Sequence, residues 1–134
     1  VGSGKSTMAR AIREMIWILH DNGLKSSQKQ IVMVTAEQLN NFRLSSEERV
    51  ERVKKSEMLL IDDLGVEADT VKSWGNDYAA VPEVLYHRYE NMLFTILTSN
   101  LDDRAIENIY GKRISDRINE MFDKLSYTTP SFRK

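Results

Sequence analysis

The chain has 134 residues, of which 41% are hydrophobic and 29% are charged, so it can form one globular domain with a buried core. Its formal net charge is −1, so the domain as a whole does not attract nucleic acid, and any such contact needs a local patch or an assembly. It has no cysteine, which excludes disulfides and thiolate metal sites and fits a cytoplasmic protein, and no apolar stretch approaches the roughly 20 residues that span a membrane.

The first segment, VGSGKST, carries the second half of a phosphate-binding loop. The full pattern is G-x-x-x-x-G-K-[ST], and its first glycine would fall two places before Val1. Apolar residues at helical spacing then predict a helix over 5–22. In such a loop, Lys5 reaches the β- and γ-phosphates and the Ser6 hydroxyl binds Mg²⁺. The alternative is a flexible Gly/Ser loop before a helix. If the match is real, we expect the chain to be truncated inside the loop, with its first strand missing.

The next two predicted elements are a buried strand and a helix. QIVMVTA (30–36) is a short apolar run rich in β-branched residues, which is typical of a strand buried on both faces. Thr35 and Gln38 have the spacing of a capping box that starts a helix. A second capping box, Ser45 with Glu48, predicts the start of another helix.

The second predicted strand, EMLLIDDLG (57–65), ends in two acids. P-loop NTPases hold Mg²⁺ with an acid at the end of a hydrophobic strand, so Asp62 is placed for that role and Asp63 for polarising the attacking water. The alternative is a pair of surface acids where a strand leaves the sheet. The position of the acids downstream of the phosphate-binding loop favours the first interpretation, and the two motifs together predict ATP or GTP binding.

Residues 66–80 read as a loop, and they hold Trp74 and Tyr78. These aromatic side chains either stack on single-stranded bases or pack against the core, and loop aromatics are more often of the second kind. Pro82 fits the first turn of a helix that runs to about Met92.

The third predicted strand is LFTILTSN (93–100), and a short helix capped by Asp102 follows it. Its polar carboxyl end lies where ligands of open α/β sheets bind. Asn100 there either holds the attacking water or caps the turn. GKRISDRINEMF (111–122) is helical with its apolar residues facing inward, and a last strand is predicted within 124–129. Strands that alternate with helices predict a parallel sheet covered on both faces.

The series GSGKST, LLIDDLG, TSN and GKRISDR resembles AAA+ ATPases of the DnaC/DnaI helicase-loader type and the related IstB transposition helper, over essentially the whole chain. The resemblance implies a P-loop NTPase (AAA+) fold, which is a three-layer α/β/α sandwich with a mostly parallel sheet. It also implies that 1–134 is one AAA+ ATPase core, truncated inside the Walker A loop. The missing first strand would lie between the last strand and the third predicted strand.

The same resemblance implies roles for particular residues. The implied nucleotide-binding residues of Walker A are Gly2, Ser3, Gly4, Lys5, Ser6 and Thr7. The implied Mg²⁺ ligands are Ser6 and Asp62. The implied catalytic residues are Asp63 of Walker B, Asn100 of sensor 1, Arg117 as an arginine finger acting in trans, and Arg133 as a sensor-2-like arginine. Arg113 is the nearby alternative to Arg117. Asp63 departs from the pattern, because most AAA+ proteins have glutamate there.

The function implied is that of a Mg-ATP-dependent ATPase that self-associates through its ATP interface, acts on single-stranded DNA and loads a replicative helicase. An IstB-like helper that acts with a transposase is one alternative. A non-hydrolysing, ATP-switched binding module is another, which Asp63 leaves open. A small-molecule P-loop kinase fits poorly, because it would need an acceptor pocket and an arginine-rich lid in the same subunit.

Overall fold

The structure is a computed structural model, and it describes residues 4–21, 31–67 and 79–126. Several predicted features lie outside these residues: Gly2, Ser3, Trp74, Tyr78, Arg133 and the part of the predicted last strand after residue 126. None of the described helices is both long enough and apolar enough to cross a membrane.

The described strands form one parallel sheet of three strands in the order β1–β2–β3. They are β1 (Val32–Thr35), β2 (Met58–Leu64) and β3 (Phe94–Ser99). Each is shorter than its prediction by one or two residues at each end, so all three predicted strands are confirmed. β2 lies in the centre, with Val34 opposite Ile61 and Leu60 opposite Ile96. This central position explains why β2 is a continuous apolar run, since both of its faces are covered.

Within the described ranges, six helices connect and cover the strands. They are α1 (Lys5–Asp21), α2 (Ala36–Ser45), α3 (Glu47–Lys55), α4 (Ala80–Glu90), α5 (Asp103–Tyr110) and α6 (Lys112–Met121). The first capping box is confirmed, because the Gln38 backbone N–H donates to Thr35 Oγ1 at 3.0 Å and the Thr35 N–H donates to Gln38 Oε1 at 3.0 Å. Asp102 caps α5 through the Ala105 N–H at 2.8 Å, and Pro82 lies in the first turn of α4, both as predicted.

The second predicted capping box is wrong. α3 is preceded by Ser46, which makes no side-chain capping bond, and Ser45 is still the last residue of α2. The Ser45 hydroxyl donates back to the carbonyl oxygen of Asn41 at 3.1 Å. A serine that bonds to the carbonyl four residues earlier continues the helix it belongs to, so it is not available to cap the next one.

The helices form a layer on each face of the sheet. Leu59 and Ile61 of β2 are fully buried in the core formed with α2 to α6, whereas Leu60 is buried on the other face with Ala9 of α1. Each such fully buried side chain contributes about 1.5–3 kcal/mol to stability. The α/β fold with helices on both faces is therefore confirmed, with α1 alone forming the thinner helical layer of the described residues.

β3 has an unpaired edge within the described ranges. Phe94 is half exposed and the next three residues are only partly covered, in contrast to the buried β2. A cavity of about 900 Å³ runs along β3, between α1 on one side and α5, α6 and residues 122–126 on the other. Residues 122–126 form no strand, so the predicted last strand is absent as far as residue 126. The expected strand beside β3 stays a prediction.

Arg88 of α4 connects the amino ends of the strands, at the end of the sheet opposite their carboxyl ends. Its side chain is completely buried, and its guanidinium donates to the carbonyl oxygens of Ser56 at 2.7 Å, Phe94 at 2.6 Å and Lys54 at 3.1 Å. It also donates to Thr95 Oγ1 at 2.8 Å. Burial lowers the pKa of Arg88 to about 10, so the side chain is a cation at neutral pH. These bonds hold the end of α4 to the starts of β2 and β3.

Candidate functional site

The candidate site lies at the carboxyl edge of the sheet, where β2 and β3 end and α1 begins. Lys5 and Asn100 line the same cavity, together with Thr98. Thr98 in turn contacts both Asp62 and Asp63. The four predicted site residues therefore meet at one edge, because the carboxyl ends of parallel strands and the following helix starts converge there. Ser6 is half-buried in the first turn of α1.

Gly4 shapes the start of α1. Its φ of +84° is in the left-handed region that favours glycine, and its carbonyl accepts the Met8 N–H at 2.9 Å, the first bond of the helix. The first turn of a helix presents backbone N–H groups and the positive end of the helix dipole. The first turn of α1 contains no acidic side chain that would neutralise this end. The helix start is therefore suited to phosphate oxygens.

Asp62 is a buried carboxylate with its two oxygens in different surroundings. It is 2% exposed, and its Oδ1 accepts the Thr98 hydroxyl at 2.5 Å. Its Oδ2 lies 3.9 Å from a guanidinium nitrogen of Arg10, which is on α1. One oxygen is thus fixed to β3 and the other faces the helix that starts at Lys5. Carboxylate oxygens are preferred ligands of Mg²⁺, so the chemistry of Asp62 fits such an ion.

Asp63 departs from regular strand geometry. Its φ is +58°, an uncommon conformation for a residue other than glycine, and the pairing of β2 with β3 shifts register between Ile61 and Leu64. The Asp63 N–H donates to Thr98 Oγ1 at 2.9 Å, and its carbonyl accepts the Val66 N–H at 3.3 Å. Irregularities of this kind re-aim side chains and occur next to active sites. They distinguish this acidic pair from an ordinary strand end.

Thr98 is the residue that sequence reasoning missed. One hydroxyl group contacts both acids, because it donates to the Asp62 carboxylate and accepts from the Asp63 backbone. Its neighbour Ser99 donates to the Leu64 carbonyl at 2.9 Å and accepts the Leu101 N–H at 3.1 Å. A signal was present, since a hydroxyl in a buried strand needs a partner and the adjacent strand ends in acids. The sequence alone, however, does not give the register that brings them together.

The two candidate finger arginines pack on tyrosines of their own chain. Arg113 stacks on Tyr86, 4.7 Å from the ring centre, and donates to its hydroxyl at 2.9 Å. Arg117 stacks on Tyr89 at 4.6 Å and lies 3.6 Å from Glu120. The hydrogen bond from Tyr89 to Glu120 raises the pKa of this tyrosine. Among the described residues, neither arginine lines the cavity that Lys5 and Asn100 share.

A separate group of acids, Glu47, Glu51 and Glu83, is balanced by cations. Arg43 donates to Glu47 at 2.7 Å and also pairs with Glu83, and Lys54 bonds to Glu83 at 3.0 Å and to Glu51. The bonds from Lys54, and then from the adjacent lysine, lower the pKa of Glu51 to about 2. This group is an ion-pair network that joins α2, α3 and α4.

The parallel α/β fold is consistent with part of a P-loop nucleoside triphosphatase fold. No known family model matches the chain. In a match of 125 aligned positions that covers 87% of this chain, the chain is 22% identical to the replicative helicase loader DnaC of Buchnera aphidicola subsp. Schizaphis graminum (strain Sg). The match covers 46% of that relative, so this chain spans about half of its length. The chain is thus related to AAA+ proteins of the DnaC type, and the resemblance inferred from its motifs is confirmed.

Proposed function

We propose that this protein binds and hydrolyses Mg-ATP and helps to load a replicative helicase onto DNA in the cytoplasm. The observation that carries the proposal is the arrangement of the acids: Asp62 is buried, anchored by Thr98 and turned toward α1. A surface pair of acids would need neither burial nor a shared hydroxyl anchor. The similarity to a protein named as a replicative helicase loader supports the biological role.

Each group of site residues would have its own role in binding or hydrolysing ATP. The loop residues Gly2, Ser3 and Gly4 would bind the phosphates together with the first turn of α1, which holds Lys5, Ser6 and Thr7. Asp62 and Ser6 would hold Mg²⁺, which neutralises phosphate charge when bound. Asp63 would polarise the attacking water and Asn100 would orient it. Arg133 would contact the nucleotide as a sensor-2-like arginine.

We assign the arginine finger to Arg117, acting on the ATP of a neighbouring copy, with Arg113 as the alternative. A guanidinium that meets the charge on the transferred phosphoryl group is worth roughly 10³–10⁵ in rate. Arg117 would have to leave the Tyr89 ring and Glu120. A cation–π contact at a partly exposed site costs only about 0.5–1 kcal/mol to break, and an ion pair near the surface costs about 0–1 kcal/mol. That cost is small compared with the gain, so the contact within the chain is compatible with a finger that acts after assembly.

The test separates binding from turnover. Lys5→Ala should weaken ATP binding, because it removes the charge that faces the phosphates, whereas Asp63→Asn should leave binding largely intact and suppress hydrolysis. Binding is measured with a fluorescent ATP analogue, and turnover by phosphate release with and without single-stranded DNA. Normal turnover by Asp63→Asn would rule out its assigned role.

A mixing experiment tests the finger. Arg117→Ala alone should bind ATP and turn over little, and adding the Lys5→Ala protein should restore activity, because one copy then offers a pocket and the other a finger. If Arg117→Ala is active and Arg113→Ala is not, the finger is Arg113.

A second candidate function is an ATP-switched binding module without turnover. The observation that favours it is that both Arg113 and Arg117 are engaged by tyrosines of their own chain. Such a module would bind ATP and recruit its partner, yet the wild-type protein would release no phosphate with or without DNA. If the protein is instead an IstB-like transposition helper, it should capture a transposase in place of a replicative helicase.

A further inference from the structure

Behind the acidic pair lies a buried carboxylate that the proposed chemistry does not use. Glu67 is 1% exposed, although it belongs to a segment that the sequence predicts to be a loop. Its Oε2 accepts the Gly65 N–H at 2.9 Å, and its Oε1 accepts the hydroxyl of Tyr110. A buried glutamate is costly unless its oxygens are hydrogen-bonded. Glu67 therefore depends on these partners, one of which comes from 43 residues further along the chain.

Tyr110 stands at a corner of the fold. It is the last residue of α5, and Gly111, with a φ of +83°, separates it from α6. Burial, and then the charge of Glu67, raises the pKa of Tyr110, so its hydroxyl remains a donor at neutral pH. Arg113 and Arg117 follow on α6. The bond to Glu67 thus connects the corner from which α6 starts to the turn that follows Asp63.

The other end of this connection is also held tightly. Gly65 has a φ of +100°, and a Cβ at this position would collide with the Leu101 side chain. The turn after β2 is thereby packed against the segment after β3, and Glu67 holds it from the side of α5. The chain of contacts runs from the acids through Gly65 and Glu67 to Tyr110.

We propose that Glu67 and Tyr110 are positioning residues that fix α6 against the rest of its own subunit, and so place the arginine finger that α6 carries for action on the ATP of a neighbouring copy. This inference rests on the proposed function, because the position of α6 affects turnover only if α6 carries the arginine finger. A misplacement of about 1 Å in a group that acts on the reacting atoms costs roughly 100-fold in rate. Nothing in this role requires Glu67 or Tyr110 to touch ATP.

Tyr110→Phe is the direct test, since it removes one hydroxyl and keeps the ring. Ser56→Ala is the control, because it also removes a half-buried hydroxyl but at the opposite edge of the sheet. The first measurement is amide hydrogen exchange without nucleotide. Tyr110→Phe should accelerate exchange in α6 by roughly tenfold or more and leave α1 unchanged, whereas the control should not alter α6. An unchanged α6 in Tyr110→Phe would overturn the proposal, whatever the fate of the ATPase.

The second measurement asks which copy needs Tyr110. The reference is the active mixture of Lys5→Ala with the inactive finger variant, either Arg117→Ala or Arg113→Ala. Placing Tyr110→Phe in the copy that donates the finger should lower turnover by about 10- to 100-fold, whereas placing it in the copy that offers the pocket should not. ATP affinity should be unchanged in both.

Equal losses in both arrangements, or no loss in either, would show that Tyr110 only stabilises the fold, and the proposal would be wrong. An inactive reference mixture would mean that the trans-acting mechanism itself had failed. A finger-positioning role would then fall with it, even if the exchange result had shown that Tyr110 holds α6 in place.

Discussion

Thr98→Val should cost far more stability than the size of the change suggests. Valine has nearly the same shape as threonine, so the substitution leaves no cavity in the sheet. What it removes is the hydroxyl between the acids, which donates to Asp62 at 2.5 Å and accepts the Asp63 N–H at 2.9 Å. The buried carboxylate then loses its donor, and the strained backbone at Asp63 loses an acceptor.

The size of the loss follows from these two bonds. A hydrogen bond to a charged group contributes about 1.5–3 kcal/mol, and an N–H left without a partner costs about 1–3 kcal/mol. The lower bounds add to about 2.5 kcal/mol, which is the minimum that we expect for Thr98→Val. Thr98→Ser is the matched control, because it keeps the hydroxyl and loses one buried methyl group, worth about 0.8 kcal/mol.

The assay is urea denaturation of the protein and both variants, followed by circular dichroism. The two variants should differ by at least about 1.7 kcal/mol, which at a slope of about 1.5 kcal/mol per molar urea separates their midpoints by roughly 1.1 M or more. ATP turnover should fall in Thr98→Val and be retained in Thr98→Ser. If valine were tolerated as well as serine, the hydroxyl would not be the anchor of the acids, and the argument for the site would lose its main support.

Three further predictions concern residues other than the acids and Thr98. Gly65→Ala should lower the free energy of unfolding by about 1–3 kcal/mol, because it combines a left-handed φ with a collision against Leu101; thermal denaturation measures this, and a neutral result would contradict the packing described. Arg88→Met should cost about 3 kcal/mol or more in urea denaturation, since it leaves three partly buried carbonyl groups without their donor. The raised pKa of Tyr110, caused by burial and then by Glu67, means that the unfolded chain loses its tyrosine proton near pH 10 while the folded chain keeps it, so stability should fall as pH rises above about 10. Urea midpoints between about pH 9 and 11 should fall less steeply for Tyr110→Phe than for the wild type.

The sequence predicts much of the fold because local patterns report burial directly. The apolar run of β2 predicted a buried strand, and the capping signals at Thr35 and Asp102 predicted the starts of α2 and α5. The error at Ser45 has a local cause as well. Two adjacent serines offer the same hydroxyl, and only the geometry of the preceding helix decides which of them ends α2.

The site is less predictable because its contacts join distant parts of the chain. The sequence predicted that two acids lie at the end of a strand. It did not predict the left-handed backbone of Asp63, which depends on the register shift against β3. Thr98 lies 35 or 36 residues from its partners, and Glu67 has the sequence surroundings of an exposed loop. A pattern of residue types does not contain such pairings, since they are set by how the elements pack.

Arg88 stabilises the sheet at the amino ends of its strands, whereas the proposed site lies at their carboxyl ends. The two ends are separated by most of the length of β2, which rises about 3.3 Å per residue, so that substitutions at each should act nearly independently. In a cell, a variant of Arg88 would lower the amount of folded protein that escapes degradation, while each surviving molecule would work normally. A variant of Asp63 would leave abundance unchanged and fill assemblies with inactive copies. The loss of folded protein would be recessive and relieved by higher expression. The inactive copies would inhibit the wild-type copies with which they assemble.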